Sequence, residues 1–104
     1  MKTRTIAAIM SFGLLVASLP QSALALDLQR GQRLYNQRCA VCHGLNGVPV
    51  IQQAPSFVAK DRLMQADMVL LQRVQMGKNT CPPFMGVLKN EEILDVLNYA
   101  RVLR

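Results

Sequence analysis

The chain has 104 residues, 51% of them hydrophobic, and a formal charge of +6. That length holds one domain and excludes a multidomain enzyme, and the positive balance with this apolar content excludes acidic disorder. The apolar excess is uneven, because much of it lies at the amino end.

Lys2 and Arg4 precede an uncharged run from Ile6 to Ala17, and Pro20 then leads to a small-x-small ending at Ala23-Leu24-Ala25. This is the pattern of a secretory signal cut after Ala25. The alternative is an uncleaved anchor. A spanning helix needs about 20 apolar residues, and this run is shorter and contains Ser11 and Gly13. The expected organisation is a leader over 1–25 and one domain over 26–104, exported to the periplasm, with no stable membrane span in the mature chain. What is left is near the ~70–80 residues at which a hydrophobic core alone is marginal. Such a chain needs a staple, and its 3 cysteines cannot all pair with one another.

In chain order, Asp27 can cap a helix running to about Cys39, with Leu28, Leu34, Tyr35 and Ala40 at helical spacing. Gly31 costs about 1 kcal/mol inside a helix, which close approach by another element would offset. The stretch from Gly44 to Pro55 is rich in turn formers, and a short helix is expected over Ser56–Leu63. Another runs from about Asp67 to Met76, with Gly77 as its stop. Lys78 to Val87 is a loop stiffened by Pro82-Pro83. The last helix starts near Asn90, places Glu91 and Glu92 at its positive end, and ends with Arg101 and Arg104. Its apolar stripe is Ile93, Val96, Leu97, Ala100 and Leu103. No segment alternates like a strand. The fold class is all-α, with three to four helices, and long loops around little core call for something large in the middle.

Cys39-Ala40-Val41-Cys42-His43 matches C-x-x-C-H, the attachment pattern of c-type haem. Two thiols at this spacing can add to the two vinyl groups of one haem, and the adjacent imidazole can then reach the iron. Covalent attachment keeps the cofactor in a chain too small to hold it by burial. A thioredoxin-like site would need a βαβ context. A zinc site could draw on Cys39, Cys42, His43 and Cys81, but adjacent Cys42 and His43 are poorly placed around one tetrahedral ion. A Cys39–Cys42 disulfide would leave the rest of the chain unexplained.

With these residues in hand, residues 27–104 resemble the small class I c-type cytochromes. Gly31-x-x-x-Tyr35 stands where the family has a glycine–aromatic pair, and Gly44-Leu45-Asn46-Gly47 is similar to its glycine-rich turn. The segment from Glu91-Glu92-Ile93 to Asn98-Tyr99-Ala100-Arg101 is similar to its last helix. The resemblance implies a cytochrome c fold around one covalent haem c. It implies that Cys39 and Cys42 hold the haem and that His43 is the proximal ligand. Pro55 would accept its Nδ1–H. It also implies that the first and last helices cross, with Gly31 under Tyr99.

The family's distal ligand is a Met in a Met-Pro-x-Phe loop. Here the loop reads Cys81-Pro82-Pro83-Phe84-Met85-Gly86, with Cys81 at the Met position. The distal candidates are Cys81 by position, Met85 by chemistry, a lysine, or an open site. The Cys81 sulfur is one bond closer to the backbone, so the loop would have to move in by about one bond length. A thiolate would stabilise ferric iron and lower the potential. Phe57 and Phe84 are expected to cover haem edges. Met64, Met68 and Met76 are expected to pack in the core or against the haem.

The functional expectation is an exported monohaem electron carrier with His/Cys ligation and low potential, not itself an enzyme. Two rivals stand beside it. One is a small-ligand (NO or CO) binder whose Cys81 leaves on reduction. The other is a haem subunit of a heteromeric enzyme of sulfur or nitrogen metabolism. The expected partners are redox proteins, acidic ones if the cations ring the haem edge, with the chain a monomer or a heteromeric subunit. Without a basic run, nucleic-acid binding has no support.

Overall fold

The computed structural model describes residues 7–18 and 26–104. The expected cut at Ala25 lies outside the described residues. Among the described residues four helices follow one another as α1 (Leu28–Arg38), α2 (Ala40–His43), α3 (Asp67–Met76) and α4 (Asn90–Val102). No β-strand occurs among the described residues; Lys78 and Cys81 form an isolated bridge.

Three of the helix ends have a local cause that the sequence shows. Asp27 caps α1, its carboxylate accepting from the Arg30 amide at 2.9 Å. Glu92 reaches back to accept from the Lys89 amide at 2.9 Å at the head of α4. Gly77 ends α3 with φ 70°. The helix expected over Ser56–Leu63 is not formed. Lys60 and Arg62 sit at φ 61° and 62°, a left-handed backbone that no α-helix contains. The segment is a chain of turns instead, with the Asp61 amide donating to Ser56 O at 2.9 Å and the Leu63 amide to Lys60 O at 3.1 Å.

The stripe on α4 divides the core. Val96, Ala100 and Leu103 pack with Tyr35, Ala40 and Leu63 in one cluster. Ile93 and Leu97 pack with Leu70, Leu71, Phe84 and Leu88 in another. Met64, Met68 and Met76 join neither and are exposed. Their helical spacing set them on the outer face of α3 and its lead-in, while Leu70 and Leu71 take the inner one.

α1 packs on α4, and Gly31 is the point of closest approach. A Cβ there would overlap the Asp95 carbonyl and lie 3.2 Å from the Tyr99 Cβ. Asp95 itself escaped the sequence reading. It is 1% exposed, accepts from the Asp27 amide at 2.8 Å and binds the Arg30 guanidinium at 2.5 Å. A buried carboxylate one position before Val96 reads as an interruption of the stripe until the start of α1 is known to lie against it.

Tyr35 is fully buried, stacks edge-on with Tyr99 at 5.4 Å, and donates its hydroxyl to Gly44 O at 2.7 Å. Burial pushes its pKa up from 10.0 to about 12. A phenol whose folded pKa is raised contributes stability that is complete below the unfolded value and is lost as pH rises through the folded one. Tyr35→Phe is therefore expected to remove a stability loss that wild type shows between pH 10 and about 12. At neutral pH it should cost about 0.5–1.5 kcal/mol, because the Gly44 carbonyl loses one of two donors and keeps the Gly47 amide at 3.1 Å. Denaturant midpoints of both proteins across that pH range check both effects.

Candidate functional site

The two core clusters flank an apolar cavity of ≈ 260 Å³ that reaches α1, α2, α3, α4 and the loops between them. Cys39, Cys42, His43, Pro55, Phe57, Cys81 and Phe84 all line it. Seven of the eight sequence-predicted site residues thus meet in one place. Met85 is the exception: its side chain is 61% exposed and does not border the cavity.

The proximal wall is built from backbone bonds. The end of α1 runs straight into α2, so Cys39, Cys42 and His43 fall on one helical turn. The Val50 amide donates to Cys42 O at 2.8 Å, and the Phe57 amide donates to Gly47 O at 2.9 Å. These bonds bring Pro55 O within 3.1 Å of His43 Nδ1. A carbonyl can only accept, so Nδ1 carries the proton and Nε2 keeps a free lone pair. Phe57 stacks on the imidazole at 4.0 Å and 10°. Burial lowers the His43 pKa, opposed by the Pro55 bond, and the neutral ring is the form that can bind a metal.

Both attachment cysteines are free thiols. Burial pushes Cys39 up to about 12, so it stays protonated in the absence of a cofactor. Among the described residues no group of three His, Cys, Asp or Glu side chains is placed to hold a metal ion. That removes the zinc alternative, whose four residues line a cavity without converging. The donor set fits a haem: two unpaired thiols and one imidazole with its Nε2 free share the proximal wall of an apolar cavity.

The opposite wall carries Cys81. Its backbone is held by reciprocal bonds with Lys78, each 3.0 Å, and the loop is docked on α3 by Phe84 N to Val74 O at 3.1 Å and Met85 N to Gln75 O at 3.2 Å. A Cβ on Gly77 would come within 2.7 Å of both Cys81 O and Pro83 N, so only glycine lets the loop turn this tightly. Burial raises the Cys81 pKa, and the Cys42 thiol adds to the rise. A bond from the Lys78 backbone opposes that rise, and the sulfur also makes a long hydrogen bond, 3.8 Å, to Pro82 O.

Arg101 was expected only to suit the end of α4, and it does more. Its guanidinium donates to Leu63 O at 3.0 Å, Gln65 O at 3.2 Å and Asp67 Oδ1 at 2.6 Å. It thereby fixes the segment that closes one side of the cavity. Gln53, Arg62 and Leu63 also line the cavity and were missed, since nothing in their spacing marks them.

Comparison with known proteins agrees with this geometry. The family described as cytochrome c oxidase, cbb3-type, subunit III matches residues 26–99. Cytochrome c6 of Thermosynechococcus vestitus is 38% identical over 89 residues, 82% of this chain and 78% of that protein. Cytochrome c6 of Pyropia yezoensis is 33% identical over 90 residues, 85% and 82% of the two. The structure of cytochrome c6 from the diatom Phaeodactylum tricornutum matches with a TM-score of 0.59 at 32% identity, covering 71% of this chain and 90% of that one. The chain belongs to the small class I c-type cytochromes. Its fold is the cytochrome c fold, and its cofactor is one covalently bound haem c.

Proposed function

We propose that the protein is an exported monohaem cytochrome that carries single electrons between larger redox proteins, with His43 and Cys81 as axial ligands and a low potential. The supporting observation is the placement of Cys39, Cys42, His43 and Cys81 around one apolar cavity, with Met85 outside it. The relatives named cytochrome c6 support a carrier rather than an enzyme.

Cys39 and Cys42 would hold the haem through two thioethers, each thiol adding across a vinyl double bond with its hydrogen ending on the neighbouring carbon, so that no oxidant is needed. His43 presents Nε2 while Pro55 holds Nδ1–H. Cys81 would offer its sulfur as the second ligand beside His43, from a loop pinned to α3. When bound, the haem supplies a one-electron couple at its iron. The apolar walls exclude water, so the charge change at the centre is met by fixed dipoles rather than by solvent reorganisation.

A cleaved leader over 1–25 remains the reading for export. No helix among the described residues is long and apolar enough to cross a membrane. Arg38, Arg62, Arg73 and Lys78 all line the cavity, which favours an acidic redox partner.

The test is made on holoprotein matured with haem. The colour is expected to survive extraction with acidified organic solvent, and a double Cys39→Ser, Cys42→Ser variant should release it. Ferric EPR of the wild type should show a low-spin centre with thiolate ligation. Pigment that washes out of the wild type would overturn covalent attachment, and a high-spin ferric signal would overturn the two-ligand reading.

A further inference from the structure

We infer that Phe57 is a positioning residue for the proximal ligand, its stacked ring fixing the plane of the His43 imidazole about the axis through Nε2 and lowering the potential of the site. The inference rests on the haem reading and is independent of the distal ligand.

A hydrogen bond to a carbonyl tolerates a broad range of directions at the oxygen. The bond between His43 Nδ1 and Pro55 O, 3.1 Å long, therefore settles which nitrogen stays free but leaves the ring able to rock about Nε2. Phe57 stops the rocking, because its ring lies against the imidazole with centroids 4.0 Å apart and planes within 10°. Neutral aromatic pairs prefer offset or edge-on arrangements at about 4.5–7 Å, as Tyr35 and Tyr99 adopt at 5.4 Å and 62°. A closer, nearly parallel pair suits an imidazole that carries positive charge, since the face of the Phe57 ring is its negative side. Coordination of a metal through Nε2 supplies that charge, and a ferric ion supplies more of it than a ferrous one. The stack therefore favours the oxidised state. An aliphatic side chain would fill the same space but would present neither a plane nor a negative face.

The backbone supplies a second and independent observation, for it holds Phe57 as firmly as Phe57 holds His43. The Phe57 and Val58 amides both donate to Gly47 O, at 2.9 and 3.1 Å, and the Lys60 amide donates to Phe57 O at 3.1 Å. A Cβ on Gly47 would lie 2.8 Å from Val58 N and 3.2 Å from Phe57 C, and its φ is 78°. Only glycine lets the two segments come this close. Behind the Phe57 ring stands Tyr35, at 6.2 Å and tilted by 52°, itself buried and tied to Gly44 O. Tyr35 thus backs Phe57, and Phe57 backs His43. Groups that touch a metal ligand rather than the metal set that ligand's orientation and donor strength.

The test compares wild-type holoprotein with Phe57→Leu, Phe57→Tyr and Tyr35→Phe. Turning the imidazole plane redistributes unpaired spin over the porphyrin. The ferric EPR g values and the spread of haem methyl shifts in proton NMR therefore report that plane. Phe57→Leu should change both and raise the potential. Phe57→Tyr keeps the ring and should hold both close to wild type. Tyr35→Phe loses stability but keeps every ring, so it should leave both in place, which separates orientation of the ligand from a general loosening of the wall. Should Phe57→Leu fail to mature, Phe57→Met fills the gap without a plane and carries the same expectation. The inference is overturned if the aliphatic variant keeps the wild-type g values and methyl shifts, or if Tyr35→Phe moves them as far. Holoprotein without covalent haem would instead count against the haem reading itself.

Discussion

Cys81→Met is expected to raise the reduction potential by on the order of hundreds of millivolts, within the ~0.8 V range over which axial ligands tune haem. It should also create a methionine–iron charge-transfer band that the wild type lacks. A thiolate donates charge and stabilises ferric iron; a thioether favours ferrous iron. The substitution is well placed to succeed sterically. The loop is fixed by the paired bonds between Lys78 and Cys81 and by its two bonds to the end of α3, so the longer side chain starts from an unchanged backbone. Absorption and EPR in both oxidation states, with potentiometry, read the result. A charge-transfer band already present in the wild type would assign Met85 instead. That outcome would require the exposed Met85 side chain to turn inward and the loop to give up its Phe84 and Met85 amide bonds to α3.

The second large effect is on stability. Gly31→Ala should cost about 3 kcal/mol or more, at the upper end of overpacking penalties. The added Cβ meets the Asp95 carbonyl, which is helix backbone and cannot rotate away. Relief comes only by parting α1 from α4, and parting them breaks the bonds from Asp27 and Arg30 to Asp95. Against a domain stability of about 5–15 kcal/mol, the holoprotein should show a clearly lower denaturant midpoint. An unchanged midpoint would mean that the crossing is looser than the geometry states.

The elements that could be read from sequence were those with both a period and a stop signal. α3 ends at Met76 because Gly77 follows, and α4 buries the stripe expected of it. Asp27 and the C-x-x-C-H run were equally legible, since each is a local pattern with a local cause. The turns over 56–63 were not. Lys60 and Arg62 take left-handed conformations in a segment held from about forty residues away, with Arg101 donating to Leu63 O and the Lys60 ammonium donating to Leu103 O. Asp95 escaped for the same reason: its partners, Asp27 and Arg30, come from a distant part of the chain. Three methionines at helical spacing were misplaced because a period identifies a face without saying which way it looks.

The division of the α4 stripe has a consequence for biogenesis. One helix supplies residues to both halves of the core, Leu34 packs against both, and both border the cavity. A group that fills this cavity binds only the folded chain, so loading is expected to raise the stability of both halves together.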